Sequence, residues 1–181
     1  RRERIMSAMG GGLMLLAAAP ERPRTADILY PYRQVSDFDY DTGFSKPDAV
    51  CVLAPDQPHR YLLFVRPATA GGASWVEPRA GLDGAAERHG ADRAYSLDEL
   101  EKVLGPLVEK SSYVYHTVLR DDPLAHRLLA LIRGAQAGRP RTGTGPSAIR
   151  DPAEVLHEMR LRKDPAELER NLNVCPKCSH H

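Results

Sequence analysis

Short apolar runs separated by amphipathic stretches constrain this chain more than any other feature. The runs Leu13–Ala17, Ala49–Leu53, Tyr61–Val65 and Tyr113–Thr117 have strand length, and a weaker one lies near Arg93–Tyr95. Amphipathic segments between them predict helices over Glu3–Met9, Leu82–His89, Leu97–Val108, Pro123–Ala135 and Pro152–Leu161, then Pro165–Leu172. Strands alternating with helices predict an α/β domain, with a mixed, mostly buried sheet flanked by helices on both faces. The first three strands follow one another closely, which favours some antiparallel pairing.

Helix starts are well marked. Ser96-Leu97-Asp98-Glu99 reads as a capping box, in which the serine hydroxyl accepts a free backbone N–H and the glutamate reaches back. Asp122-Pro123, Asp151-Pro152-Ala153-Glu154 and Asp164-Pro165-Ala166-Glu167 each place a carboxylate before a proline at the first helical position. Gly138 to Ser147 is rich in Gly, Pro, Arg and Thr and predicts an exposed loop. Pro152–Leu161 is expected to leave the body as a connector.

With 181 residues and 42% hydrophobic residues, the composition predicts one soluble domain that folds without disulfide or metal. The net charge of +1 gives no electrostatic reason to expect nucleic acid or an anionic membrane as partner. Arg1 to Glu3 followed by Leu13 to Ala19 imitates a secretory leader, but three glycines and a glutamate suit a helix-to-strand joint better. No stretch is long enough to span a membrane. Three cysteines make no disulfide framework: Cys51 reads as a buried strand thiol, and a reducing cytoplasm is the simplest compartment.

The segment Tyr30-Pro31-Tyr32-Arg33-Gln34-Val35-Ser36-Asp37-Phe38-Asp39-Tyr40-Asp41-Thr42-Gly43-Phe44 carries the most specific information. It is followed by Pro47-Asp48-Ala49-Val50-Cys51-Val52-Leu53, by Leu63-Phe64-Val65-Arg66, by Trp75 ahead of Pro78-Arg79-Ala80-Gly81, and by Leu156-His157-Glu158-Met159-Arg160-Leu161. In kind and order these resemble the N-terminal domain of aminopeptidase P, the Xaa-Pro aminopeptidase family. Asp39 and Asp41 depart from it, standing where the family often has aromatic or apolar residues.

The resemblance implies a small α/β N-terminal domain preceding a larger pita-bread domain that hydrolyses the bond before proline. That larger domain holds two divalent metals, usually manganese, through two Asp, one His and two Glu. Only 21 residues follow Arg160 here, so none of the five ligands is carried over. The expectation is a non-catalytic assembly and substrate-access domain, inactive alone, whose partners are the catalytic domain and further copies of the enzyme. The alternatives are a free-standing binding or scaffold module, or a chimeric or truncated product. By the same resemblance Trp75 is a candidate at a neighbour's active-site mouth, since an aromatic face packs well on a proline ring. Arg139 and Arg141, in the expected loop, are candidates for a substrate carboxylate. The domain is expected over residues 1–150, linker helices over 151–170 and a foreign-looking tail over 171–181.

That tail, Asn173-Val174-Cys175-Pro176-Lys177-Cys178-Ser179-His180-His181, is similar to a zinc-ribbon knuckle in the carboxyltransferase β subunit of acetyl-CoA carboxylase. Cys175 and Cys178 form only half of a structural zinc site. Asp37, Asp39, Asp41 and Asp48 match four calcium-loop positions, but Thr42 stands at the obligatory glycine; an alternating segment with polar residues outward is expected instead. His157-Glu158 fails the zinc-protease motif because Leu161 replaces the second histidine.

Overall fold

The structure is a computed structural model describing residues 1–25, 27–66, 82–163, 165 and 167–169. Helix α1 (Arg2–Met9) leads into β1 (Leu13–Ala17); α2 (Ser36–Thr42) precedes the hairpin of β2 (Ala49–Leu53) and β3 (Tyr61–Val65). Then come α3 (Leu82–His89), β4 (Arg93–Ser96), a short 3-10 turn at Leu97–Glu99, α4 (Leu100–Lys110), β5 (Val114–His116), α5 (Pro123–Thr142), β6 (Ile149–Arg150) and α6 (Ala153–Leu161). The six strands lie in the order β4-β3-β2-β1-β5-β6. β2 runs antiparallel to both neighbours and the other pairs are parallel, so the sheet is mixed.

Both faces of the sheet are covered, which is why β1, β2 and β3 are buried at every position rather than alternately. Met14, Leu16, Cys51, Leu53, Tyr61 and Leu63 point toward α1, α2, α3 and α6. Leu13, Leu15, Val50, Val52, Leu62 and Phe64 point toward α4 and α5, meeting Leu100, Leu104, Leu128 and Ile132. Gly12 enters β1 at φ 71°, with Tyr113 so close that a Cβ would sit 2.6 Å from the ring, so only glycine fits there.

The capping box at Ser96 forms as expected, and Asp122 accepts the Ala125 N–H at 3.0 Å to start α5. Four expectations change. The segment read as alternating and extended is helix α2: Phe38 is fully buried, Asp41 is buried with it, and Gly43 closes the turn in the left-handed region at φ 62°. Its aspartates are poor interior helix formers, which hid it. α5 runs to Thr142 rather than Ala135, so Arg139 and Arg141 lie in its last turn and not in a loop. Pro140 is tolerated so near the end, where Gly143 caps the helix through the Arg139 carbonyl. The two-residue strand β6 lies within the expected loop and linker region. α6 does not leave the body: Leu156 is fully buried, Val155 nearly so, and the helix packs on α1. Among the described residues no helix is long and apolar enough to cross a membrane.

Candidate functional site

β1, β3, β4, β5 and β6 all end, and β2 begins, at one end of the sheet. This is the end where open α/β sheets present their working loops. Here it gathers the loops after β1 and β5, the approach to β2, and both ends of the segment joining Arg66 to Leu82.

One side chain of the signature organises the first loop. Gln34 donates from Nε2 to the carbonyls of Phe44 and Lys46, both at 3.0 Å, and accepts the Ala19 N–H at 2.7 Å through Oε1. A single amide thereby ties the exit of β1 to the approach of β2. Tyr32 donates its hydroxyl to the Ala19 carbonyl at 3.1 Å. Burial, reinforced by the Asp48 charge, pushes that phenol up to about 12, so it remains a donor. Asp48 itself adopts φ 54°, rare for a non-glycine residue, and pairs with Arg66 at 2.7 Å.

The second loop is fixed by Arg120. Its guanidinium donates to the Ala17 and Ala18 carbonyls and pairs with Asp122, which also caps α5. Beside it, buried His116 donates from Nδ1 to the Leu15 carbonyl at 3.1 Å, with no hydrogen-bond partner for Nε2 among the described residues. Burial pulls the His116 imidazole below its ordinary value, so it stays neutral.

On this scaffold sit side chains that the domain itself does not cover. Residues 22–25 and 27–30 pair with each other, with Tyr30 N–H on the Arg22 carbonyl at 2.9 Å and a bridge between Pro23 and Leu29. They expose Ile28, Leu29 and Tyr30, and the loop after β5 exposes Val118 and Leu119, the latter 90% exposed. These five large apolar groups lie in the loops that follow β1 and β5 and are open to a partner.

The sequence-based candidates fall in different places. Trp75 lies outside the described residues, although the flanking Arg66 and Leu82 place both ends of its segment at this face. Arg139 and Arg141 are exposed at the far end of α5, about 25 Å along the helix from Pro123. The structure therefore does not bring them to the end of the sheet where Arg66 leaves β3. Cys175 and Cys178 lie outside the described residues. The four aspartates of the calcium template are not gathered: Asp37 meets Arg160, Asp41 meets Cys51 and Asp48 meets Arg66. Among the described residues, no group of three or more His, Cys, Asp or Glu is placed to hold a metal ion. Sequence reasoning missed Gln34, His116 and Arg120 as organisers. Gln34 lay inside the quoted signature, whereas nothing local marks Arg120 as the tie between β1 and α5.

Comparison with known proteins identifies the family and the fold. The family model described as aminopeptidase P, N-terminal domain, matches residues 1–115. The Xaa-Pro aminopeptidase of Escherichia coli is 38% identical over 174 residues, covering 93% of this chain and 39% of the relative. The mitochondrial intermediate cleaving peptidase 55 of Arabidopsis thaliana is 29% identical over 170 residues, 93% of this chain and 32% of its own length. The solved structure of Pseudomonas aeruginosa aminopeptidase PepP superposes with a TM-score of 0.84 at 33% identity, covering 93% of this chain and 38% of that one. The chain thus spans about two-fifths of the length of such relatives.

Proposed function

Because this chain belongs to the aminopeptidase P N-terminal domain family, we propose that it is the assembly and substrate-access domain of a metal-dependent Xaa-Pro aminopeptidase. The observation that carries this reading is the apolar set Ile28, Leu29, Tyr30, Val118 and Leu119, exposed in the loops that follow β1 and β5, at the end of the sheet where β3 also ends. The proposed occupants of this face are the catalytic domain of the same polypeptide and neighbouring copies of the enzyme. Trp75 is proposed to stand at a neighbour's active-site mouth, and Arg139 and Arg141, in the last turn of α5, to meet a substrate carboxylate.

The proposed cofactor is manganese, held in the remainder of the polypeptide. The described residues here do not fit it, since they offer no three-ligand cluster. The proposed boundary of the domain lies after α6, because Val155 and Leu156 belong to its core. A reducing cytoplasm is the proposed compartment, in accord with the free buried thiol of Cys51.

The test uses the full-length enzyme carrying Tyr30→Asp and Leu119→Asp. Native mass should fall to smaller assemblies, with kcat/KM on an Xaa-Pro peptide reduced and the circular-dichroism spectrum unchanged. Unaltered assembly and turnover would refute the docking assignment. The 181-residue chain alone, supplied with manganese, should not turn over the peptide; chelator-sensitive turnover that survives repurification would overturn that expectation.

A further inference from the structure

Asp41 is the buried ionisable group that the assembly reading leaves unused. It sits in the last turn of α2, 5% exposed, on the face opposite α4 and α5. Its Oδ2 accepts the Cys51 thiol at 3.0 Å, and its Oδ1 has no partner among the described residues. A thiol is a weak donor and favours an anion only slightly, and the carboxyl end of a helix carries partial negative charge that opposes one.

The groups facing Asp41 do not supply what an anion needs. From α1, Arg2 donates to the Asp41 backbone carbonyl at 3.2 Å and lies 4.1 Å over the Tyr61 ring, while Arg1 donates to the Tyr40 carbonyl and covers the Tyr40 ring. Both guanidinia pull toward ionisation without bonding the carboxylate. From β2 comes the Cys51 thiol. From β3 comes Tyr61, diagonal to Cys51 in the register and with its own hydroxyl buried and unpartnered. From α3, His89 Nδ1 meets the neighbouring Thr42 carbonyl at 3.2 Å.

We propose that Asp41 is a neutral carboxylic acid that latches α2 onto the sheet, and that its ionisation releases α2 together with the elements anchored on it. α1 is anchored through Arg1 and Arg2 on the carbonyls of Tyr40 and Asp41. α6 is anchored through Arg160 on Asp37 and through the Tyr40 hydroxyl on the Met159 carbonyl at 3.5 Å. Burial raises the proton affinity of Asp41 above its ordinary value and outweighs the opposing pull of the Cys51 bond and the two arginines. A carboxyl raised in this way contributes its full stability below the unfolded value of 3.8 and loses it as pH rises toward the folded value. The latch therefore loosens on the alkaline side.

The experiment reads the opening at Cys51, which is fully buried. The 181-residue chain carries Cys175→Ser and Cys178→Ser, leaving Cys51 as its one cysteine. Its reaction with a dithiodipyridine, which attacks thiols even at acid pH, is divided by that of the urea-unfolded chain at the same pH to give an opening equilibrium. That equilibrium should rise with pH between about pH 4.5 and about pH 7.5 and stay level in Asp41→Asn, since the opening constant of a chain that must lose one proton to open grows about tenfold for each pH unit between the unfolded and folded midpoints. The same pH dependence in both proteins would overturn the proposal. Should Asp41→Asn not fold, the carboxyl carbon-13 resonance of Asp41 in the chain that retains it decides. A midpoint well above the ordinary value of about 3.9 supports the latch, and a midpoint at that value overturns it.

Discussion

The two faces of the sheet are built from the same strands but are closed in different ways. The face under α4 and α5 is aliphatic almost throughout, with Leu13, Leu15, Val52 and Leu62 against Leu100, Leu104, Leu128 and Ile132. The face under α1, α2, α3 and α6 is mixed: Cys51, Tyr61 and Tyr115 are buried among its apolar groups, and Arg1, Arg2 and Arg150 cover the rings of Tyr40, Tyr61 and Tyr113. Each face holds one neutralised ionisable group, His116 beside α5 and Asp41 in α2. Dispersion and dehydration close the first face and need close packing. The second depends also on hydrogen bonds and cation–π contacts, which tolerate rearrangement, and the neutral His116 and Asp41 titrate in opposite senses. The two faces should therefore fail in opposite pH directions.

The largest expected effects are in the aliphatic face. Leu104→Ala and Leu128→Ala each remove a fully buried side chain and should cost about 2–5 kcal/mol in urea unfolding. Met6→Ala, in the mixed face, should fall at the low end of that range, because a neighbouring flexible side chain can close part of the space. Equal losses at Met6 and Leu128 would break the contrast between the faces.

The next effect in size concerns His116. Its imidazole is held below the ordinary value of 6.5, so the unfolded chain binds the proton more readily. Its contribution is present above 6.5 and is lost as pH falls below that value toward the folded one. His116→Asn keeps a donor near the Nδ1 position for the Leu15 carbonyl and removes the titration. The urea midpoint of the unsubstituted chain should drop on acidification through this window, and the Asn variant should lose that component of the drop. Identical acid profiles would show that His116 is not the acid-sensitive group of its face.

Strands β1, β2 and β3 were legible to the residue, because a strand buried on both faces is written as an unbroken apolar run. Ser96 and Asp122 were legible because capping is local chemistry. α2 was not, since three aspartates in seven residues argue against a helix until the sheet supplies a pocket for Phe38. The end of α5 was misread because Pro140 and the glycines around it imitate a loop. The candidate face was half legible. The signature pointed to the segment that holds Gln34 and Tyr32, but the pairing of β1 with β5 that brings Arg120 to the end of β1 spans about a hundred residues, and no local pattern records it.

The smallest expected effect is in the charged bridge between α2 and α6. Asp37 pairs with Arg160 and, at 3.4 Å, with His157, yet Arg160 is 34% exposed and His157 61% exposed. Water screens such pairs, and holding the long arginine in one geometry costs side-chain entropy, so Arg160→Ala should cost no more than about 1 kcal/mol. A double-mutant cycle with Asp37→Asn isolates the pair from the apolar contact that the arginine stem makes. A coupling of about 0.2–1 kcal/mol, diminishing in high salt, would leave α6 held chiefly by Val155 and Leu156. A coupling well above that range and insensitive to salt would mean that the bridge, and not the apolar floor beneath it, keeps α6 on the mixed face.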